Sequence, residues 1–199
     1  MQFTCQRTGK CCTHPNIVVT LTHDDLWVLF QQVQNIEDLK KLVQFILLKP
    51  EKQQEKLVLT SIRTTIGEGV FILRKNTDQK CIFYTDETSS CEIHAARPQA
   101  CRNFPFSFSE KKNELAITLV KGANNFCMGI GKGRDYGKEE LAIIGNHTLE
   151  IFKEYNNIVT EINKEASQEQ PLTPQDALMT LVLVAQQKRS KKEQKYEIL

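Results

Sequence analysis

The chain of 199 residues has no run of about eighteen apolar residues, the length that crosses a bilayer, so no membrane span is expected. Its longest apolar stretch, residues 177–185, is short and broken by Thr180. The first twenty residues lack the apolar core of a secretory signal; Arg7, Lys10 and three cysteines stand there instead. Excess charge is also lacking. The formal net charge is +2, which by itself gives no reason to expect a nucleic-acid partner. There is no Ser-His-Asp arrangement, and the pairs Asp24-Asp25 and Glu139-Glu140 stand where helix-start charges belong rather than catalytic acids. No internal repeat suggests a solenoid, and no C-x-x-C knuckle, common in zinc sites, is present.

Against these absences stand seven cysteines that are not scattered. Cys5, Cys11 and Cys12 lie in the first dozen residues. Cys81, Cys91 and Cys101 follow at ten-residue steps, and Cys127 opens a glycine-rich segment. A hydrophobic content of 40% and a charged content of 25% are ordinary for a globular chain of this length, which folds without covalent staples. A cytoplasmic location is expected, where thiols stay reduced and clustered cysteines read as metal ligands or redox groups. An odd number also suits a disulfide framework poorly.

The pattern along the chain predicts an α+β fold. Residues 3–14 read as a cysteine loop and 17–21 as a β-rich run. Thr22 reads as the cap of a helix reaching about Gln34, and a second helix is expected over 36–48, with Leu39, Leu42, Val43 and Ile46 on one face. Residues 56–62 and 69–74 read as strands, and 104–108 with 115–121 as a hairpin, so 56–121 is expected to form a small antiparallel β unit with cysteines at its turns. From Lys138 the spacing of Leu141, Ile144, Thr148, Ile151, Phe152, Tyr155, Ile158, Val159 and Ile162 predicts a long helix. Thr173, Pro174 and Asp176 start a last one, to about Gln187. The expected organisation is a cysteine domain over 1–135, a helical extension over 136–187 packed on it, and a fraying basic tail over 188–199.

Metal thiolate sites need several soft, deprotonated sulfurs around one centre, and turns are good places from which to aim them. Gly9, before Lys10-Cys11-Cys12, permits a tight turn. In extended backbone Cys11 and Cys12 would point to opposite faces, so one ligating and one packing cysteine is expected there. Long, irregular spacings favour an iron–sulfur cluster gathered from distant loops over a single zinc ion. Arg97 and Arg102 flank Cys101 and are candidates to offset cluster charge, or to fork onto carbonyls. His94, three residues after Cys91, and His14 are candidate ligands of lower rank, each with a plain hydrogen-bonded role as the alternative. Gly129-x-Gly131-x-Gly133 has the look of an anion loop but lacks its strand–loop–helix frame, and a turn shaping the Cys127 loop is the better reading.

Phe3-x-Cys5-x-x-Thr8-Gly9-x-Cys11-Cys12 resembles the first signature of the CxxCxxCC, or YkgJ-like, cysteine-cluster family. Cys81-Ile82-Phe83 resembles its next element. Cys91-Glu92-Ile93-His94-x-x-Arg97-Pro98-x-x-Cys101-Arg102-x-Phe104-Pro105 resembles its dense central element, and Cys127-x-Gly129-x-Gly131 its closing one. The family's second cysteine falls at Thr8, which is a poor metal ligand. The resemblance, over about 3–135, implies bound zinc or iron held among Cys5, Cys11, Cys12, Cys81, Cys91, Cys101 and Cys127, most firmly Cys81, Cys91 and Cys101. The expectation is a metal-binding protein with an iron–sulfur cluster in a redox or sensing role, meeting a protein or redox partner. A zinc-stabilised interaction module is the alternative. So is a metal-dependent protein-modifying enzyme, since a flagellin lysine methylase carries a similar cysteine motif.

Overall fold

The computed structural model describes residues 1–48, 58–166 and 171–197. It is an α+β protein. The chain groups into two compact units: Met1–Val19 with Leu73–Phe152, and Thr20–Ile72 with Lys153–Leu199.

The second unit is built on helices with well-formed ends. Helix α2, His23–Val33, begins at Thr22, whose hydroxyl accepts the Asp25 amide while the Asp25 carboxylate accepts the Thr22 amide at 2.9 Å. This capping box satisfies two of the amide donors that any helix start leaves open. The last helix, Pro174–Glu197, starts the same way: the Thr173 amide and hydroxyl donate to Asp176 Oδ2 at 3.2 and 2.6 Å. It continues through the basic segment expected to fray. Leu26 and Leu29 of α2 are buried. So are Tyr155, Ile158, Val159 and Ile162 of the helix Lys138–Ala166, and Ala177, Leu178, Leu181, Val182 and Ala185 of the last helix. Ion pairs Arg189–Asp24 (3.1 Å) and Lys188–Glu154 (2.7 Å) lie at the rim of this core.

The helix expected over 36–48 is half right. Helix α3 is Ile36–Leu42, capped by Asn35, and Val43–Leu47 is a strand, β2. Val43-Gln44-Phe45-Ile46-Leu47 is apolar at helical spacing but is β-branched and aromatic, and it pairs in a sheet of order β2-β4-β3, where β3 is Ile62–Thr64 and β4 Gly67–Leu73. The Phe45 ring meets Phe71 edge-on at 5.1 Å. Sheet pairing overrides the local periodicity. Of the strand expected over 56–62, residues 58–61 are bend or irregular and only Ile62 is strand, the start of β3; 56 and 57 lie outside the described residues.

The first unit has little regular structure. Its strands are short antiparallel pairs: β1 (Gln2–Phe3) with β9 (Ile130–Asp135), β5 (Tyr84–Thr85) with β6 (Ser90–Cys91), and β7 (Phe106–Lys111) with β8 (Glu114–Leu119). The single β unit expected over 56–121 is thus several small sheets. The hairpin β7–β8 runs from Phe106 opposite Leu119 to Lys111 opposite Glu114, and both turn residues, Lys112 and Asn113, have positive φ, as a two-residue hairpin turn requires. Phe106, Phe108 and Leu141 form a small core, with Phe3, Tyr136 and Ile144 against it. Leu141 and Ile144 come from the first half of the helix Lys138–Ala166, here α5, found where the sequence predicts it.

Candidate metal centre

The cysteines of the first unit arrive on four kinds of support. Cys5 follows β1. Cys11 and Cys12 lie on a four-residue helix, α1 (Lys10–Thr13). Cys81 and Cys91 flank the β5–β6 turn, and Cys101 sits on the short helix α4 (Gln99–Asn103). Cys127 follows a turn, its amide donating to Ala123 O at 2.8 Å. Despite these origins, all seven line one cavity of about 490 Å³. None is in a disulfide. Thr8, at the position of the missing cysteine, lines the same cavity.

The adjacency of Cys11 and Cys12 resolves differently from the sequence expectation. Gly9 stands before α1 at φ +65°, and the amides of Cys12 and Thr13 donate to its carbonyl at 2.8 and 3.0 Å. A side chain at Gly9 would meet the Tyr84 ring at 2.3 Å. The resulting turn is helical, where neighbours are about 100° apart rather than opposed. Both thiols therefore face the cavity, with sulfurs 3.9 Å apart. Two thiolates on one tetrahedral metal, at about 2.3 Å each, stand about 3.8 Å apart.

Cys81 is tied to the same turn, its amide donating to Cys12 O at 2.8 Å. Cys12 also hydrogen-bonds Cys91 through its thiol. The pKa of Cys12 is pushed far up by its bonds to Cys11 and Cys91 and by burial. Cys91 is lowered to about 6 and Cys11 to about 7, chiefly by hydrogen bonding to Cys12, with the Arg97 guanidinium contributing to both. Burial pushes Cys81 up. Cys11, Cys12, Cys81 and Cys91 thus form one electrostatic group, two of them biased to thiolate. Among the described residues no three His, Cys, Asp or Glu side chains stand at mutual ligand spacing. The donor set nevertheless fits a soft metal: sulfurs from several segments, a pair at a ligand edge length, and a cation beside them.

Cys101 and Cys127 share the cavity wall, and Cys5 is exposed at it. Two histidines also line it. His14 lies tilted against Phe126 with ring centroids 4.3 Å apart, and its Nδ1 accepts the Asn16 amide at 3.3 Å. His94 buries Nε2 with no hydrogen-bond partner among the described residues, and burial, then Arg97 and Arg7, lower its pKa. The two arginines divide. Arg97 lines the cavity with Nε on His94 O at 2.9 Å, whereas Arg102 donates to Gln99 Oε1 at 2.9 Å. The glycine-rich segment forms no anion loop. Gly131 and Gly133, at φ +76° and +74°, lie in β9, whose pairing with β1 shifts register there.

Sequence reasoning missed the support of α4. Gln99 Nε2 donates to Asn103 Oδ1 at 2.9 Å and to Thr148 Oγ1 at 3.2 Å, all three side chains being buried. Two amides four residues apart around Cys101 were the available signal. Lys75 was also missed. Its Nζ donates to the carbonyls of His14 and Pro15 at 3.1 and 2.7 Å, closing the loop after α1.

A family model described as "CxxCxxCC: Putative zinc- or iron-chelating domain" matches residues 4–127. Among curated proteins, the uncharacterized protein MJ0661 of Methanocaldococcus jannaschii is 27% identical over 133 residues, 66% of this chain and 59% of that protein. This chain therefore spans well under two thirds of that relative's length. No solved structure matches the chain. With the matched segment running from Thr4 to the last of the cavity cysteines, the chain belongs to the CxxCxxCC family of zinc- or iron-chelating domains.

Proposed function

We propose that this protein holds an iron–sulfur cluster in the cysteine cavity and serves a redox or sensing role. The observation that carries the reading is the convergence of seven cysteines, drawn from five separate stretches of chain, on one cavity of about 490 Å³. A single ion bound by four sulfurs needs neither so many thiols nor so much room. Cys11, Cys12, Cys81 and Cys91 are the proposed ligands, because the Cys11 and Cys12 sulfurs stand 3.9 Å apart, the Cys81 amide donates to Cys12 O at 2.8 Å, and all four line the cavity. When bound, such a cluster supplies one-electron chemistry. Arg97 stabilises the thiolates, Lys75 fixes the loop after α1, and the Gln99–Asn103–Thr148 network holds the helix of Cys101.

One observation favours a second reading, a zinc-stabilised interaction module: the 3.9 Å separation of the Cys11 and Cys12 sulfurs suits two ligands of one ion. The experiment is purification without oxygen followed by a visible spectrum and analysis for iron, zinc and acid-labile sulfide. A brown protein with matched iron and sulfide is expected, and Cys12→Ser and Cys91→Ser proteins should lose both. Zinc without colour would replace the cluster by the zinc reading. Full metal retention in Cys91→Ser would remove the proposed ligand set.

A further inference from the structure

The cavity wall is one-sided in charge. Arg7, Lys10, Arg74, Lys75, Arg97 and Lys121 line it, and no carboxylate does so among the described residues. The nearest acid in effect, Glu92, lies off the wall, bonded to Thr85 Oγ1 at 2.9 Å, though its charge reaches Cys91. A four-thiolate site carrying either zinc or a 2+ cluster has a formal charge of roughly −2. Six cations exceed that. Three of them are committed: Arg97 to the thiolates and the His94 carbonyl, Lys75 to two carbonyls, and Arg74 to contacts of its own. Arg7, Lys10 and Lys121 are exposed side chains at the wall. The lining also has an apolar part, with Phe3, Phe83, Phe104, Phe126, Ile17 and Ile93. A volume of about 490 Å³ lies within the range of small-molecule sites, about 300–1,000 Å³.

We propose that the cavity binds, beside the thiol group, a small organic anion: an aromatic or aliphatic body on the phenylalanine wall with its acid group toward Arg7 and Lys121. Exposed cations at the wall of a partly apolar hollow focus field lines and draw in anions, and an apolar body supplies binding that a bare inorganic ion lacks. This anion is distinct from the proposed metal and is tested apart from it.

The test uses the full chain purified without oxygen, with metal content measured in parallel. The probe is 1-anilinonaphthalene-8-sulfonate, compared with N-phenyl-1-naphthylamine, which has the same rings and no charge. Saturable one-to-one binding of the sulfonate is expected, with the neutral probe weaker by at least about tenfold, the effect of losing one charge-assisted hydrogen bond. An Arg7→Gln/Lys121→Gln protein, changed only at exposed positions, should lose about tenfold or more in sulfonate affinity at unchanged metal content. Benzoate and phenyl phosphate, added in turn, should displace the probe, the stronger one identifying the acid group. Equal affinity for the two probes, an unaffected double variant, or displacement by neither acid would overturn the proposal. Anion binding without metal would leave this inference standing and remove the metal reading; metal without anion binding would do the reverse.

Discussion

The two compact units solve the problem of an interior in opposite ways. Thr20–Ile72 with Lys153–Leu199 buries leucines, valines and a tyrosine between capped helices, and its polar ends are satisfied by their own caps. Met1–Val19 with Leu73–Phe152 has a small aromatic core under one hairpin, while its seven thiols face a hollow. Apolar burial holds the first kind of interior without help, at about 25 cal/mol per Å² removed from water. A wall of thiols and cations gains little from burial, and two of those thiols are biased to charge. On the proposed metal reading, binding at this interior adds to the stability of the cysteine unit and not to that of the other.

The sharpest way to break this contrast is metal removal. Treatment with a strong chelator and a reductant is expected to raise amide exchange by orders of magnitude in residues 3–19 and 81–129, while α2 and the first turns of the last helix stay protected. Equal loss of protection in both units would erase the distinction. Leu181→Ala attacks the other side. The residue is 0% exposed, and its truncation should cost about 2–5 kcal/mol in denaturant unfolding without changing metal per folded chain. A fall in metal content at that site would show the two interiors to be energetically one.

Gly9→Ala probes the turn that aims Cys11 and Cys12. The added methyl meets the Tyr84 ring at 2.3 Å on a backbone with φ +65°, so a loss of about 1–3 kcal/mol is expected, along with reduced metal stoichiometry. Normal metal content would mean that the turn does not need its glycine.

The smallest effect concerns Tyr155, which is fully buried with a hydroxyl that meets no hydrogen-bond partner among the described residues. Tyr155→Phe should stabilise by about 1 kcal/mol. Burial raises the phenol pKa, so the folded chain keeps its proton where the unfolded chain, with a pKa of about 10, releases it. Stability from this residue is intact below that pH and falls as pH rises beyond it. Urea unfolding at neutral and alkaline pH should show the phenylalanine variant falling less steeply, and parallel slopes would count against the buried-phenol account.

Much of the helical framework was legible because its signals are local. Thr22 with Asp25, Thr173 with Asp176, and the 3.6-residue spacing after Lys138 each act within a turn or two of chain. The β7–β8 hairpin was legible for the same reason. Val43–Leu47 was misread as helix because its apolar spacing serves either state, and only pairing in the three-stranded sheet decides between them. The Gln99–Asn103–Thr148 network was out of reach because its third member is 45 residues from the nearer amide.

The sequence by itself determined the chemistry: seven cysteines at family spacing, Thr8 in place of an eighth, and arginines beside the central element. These depend on residue identity and order alone. Only the tertiary structure decided which sulfurs share a field. It turned Cys11 and Cys12 to the same side through Gly9, brought Cys81 and Cys91 to them, and sent Arg97 to the thiols and Arg102 to Gln99. It also gathered cations from four segments around one hollow without a carboxylate among the described lining residues. Charge and ligand geometry are set by distances through space, and residues seventy positions apart have no fixed distance until the chain has folded.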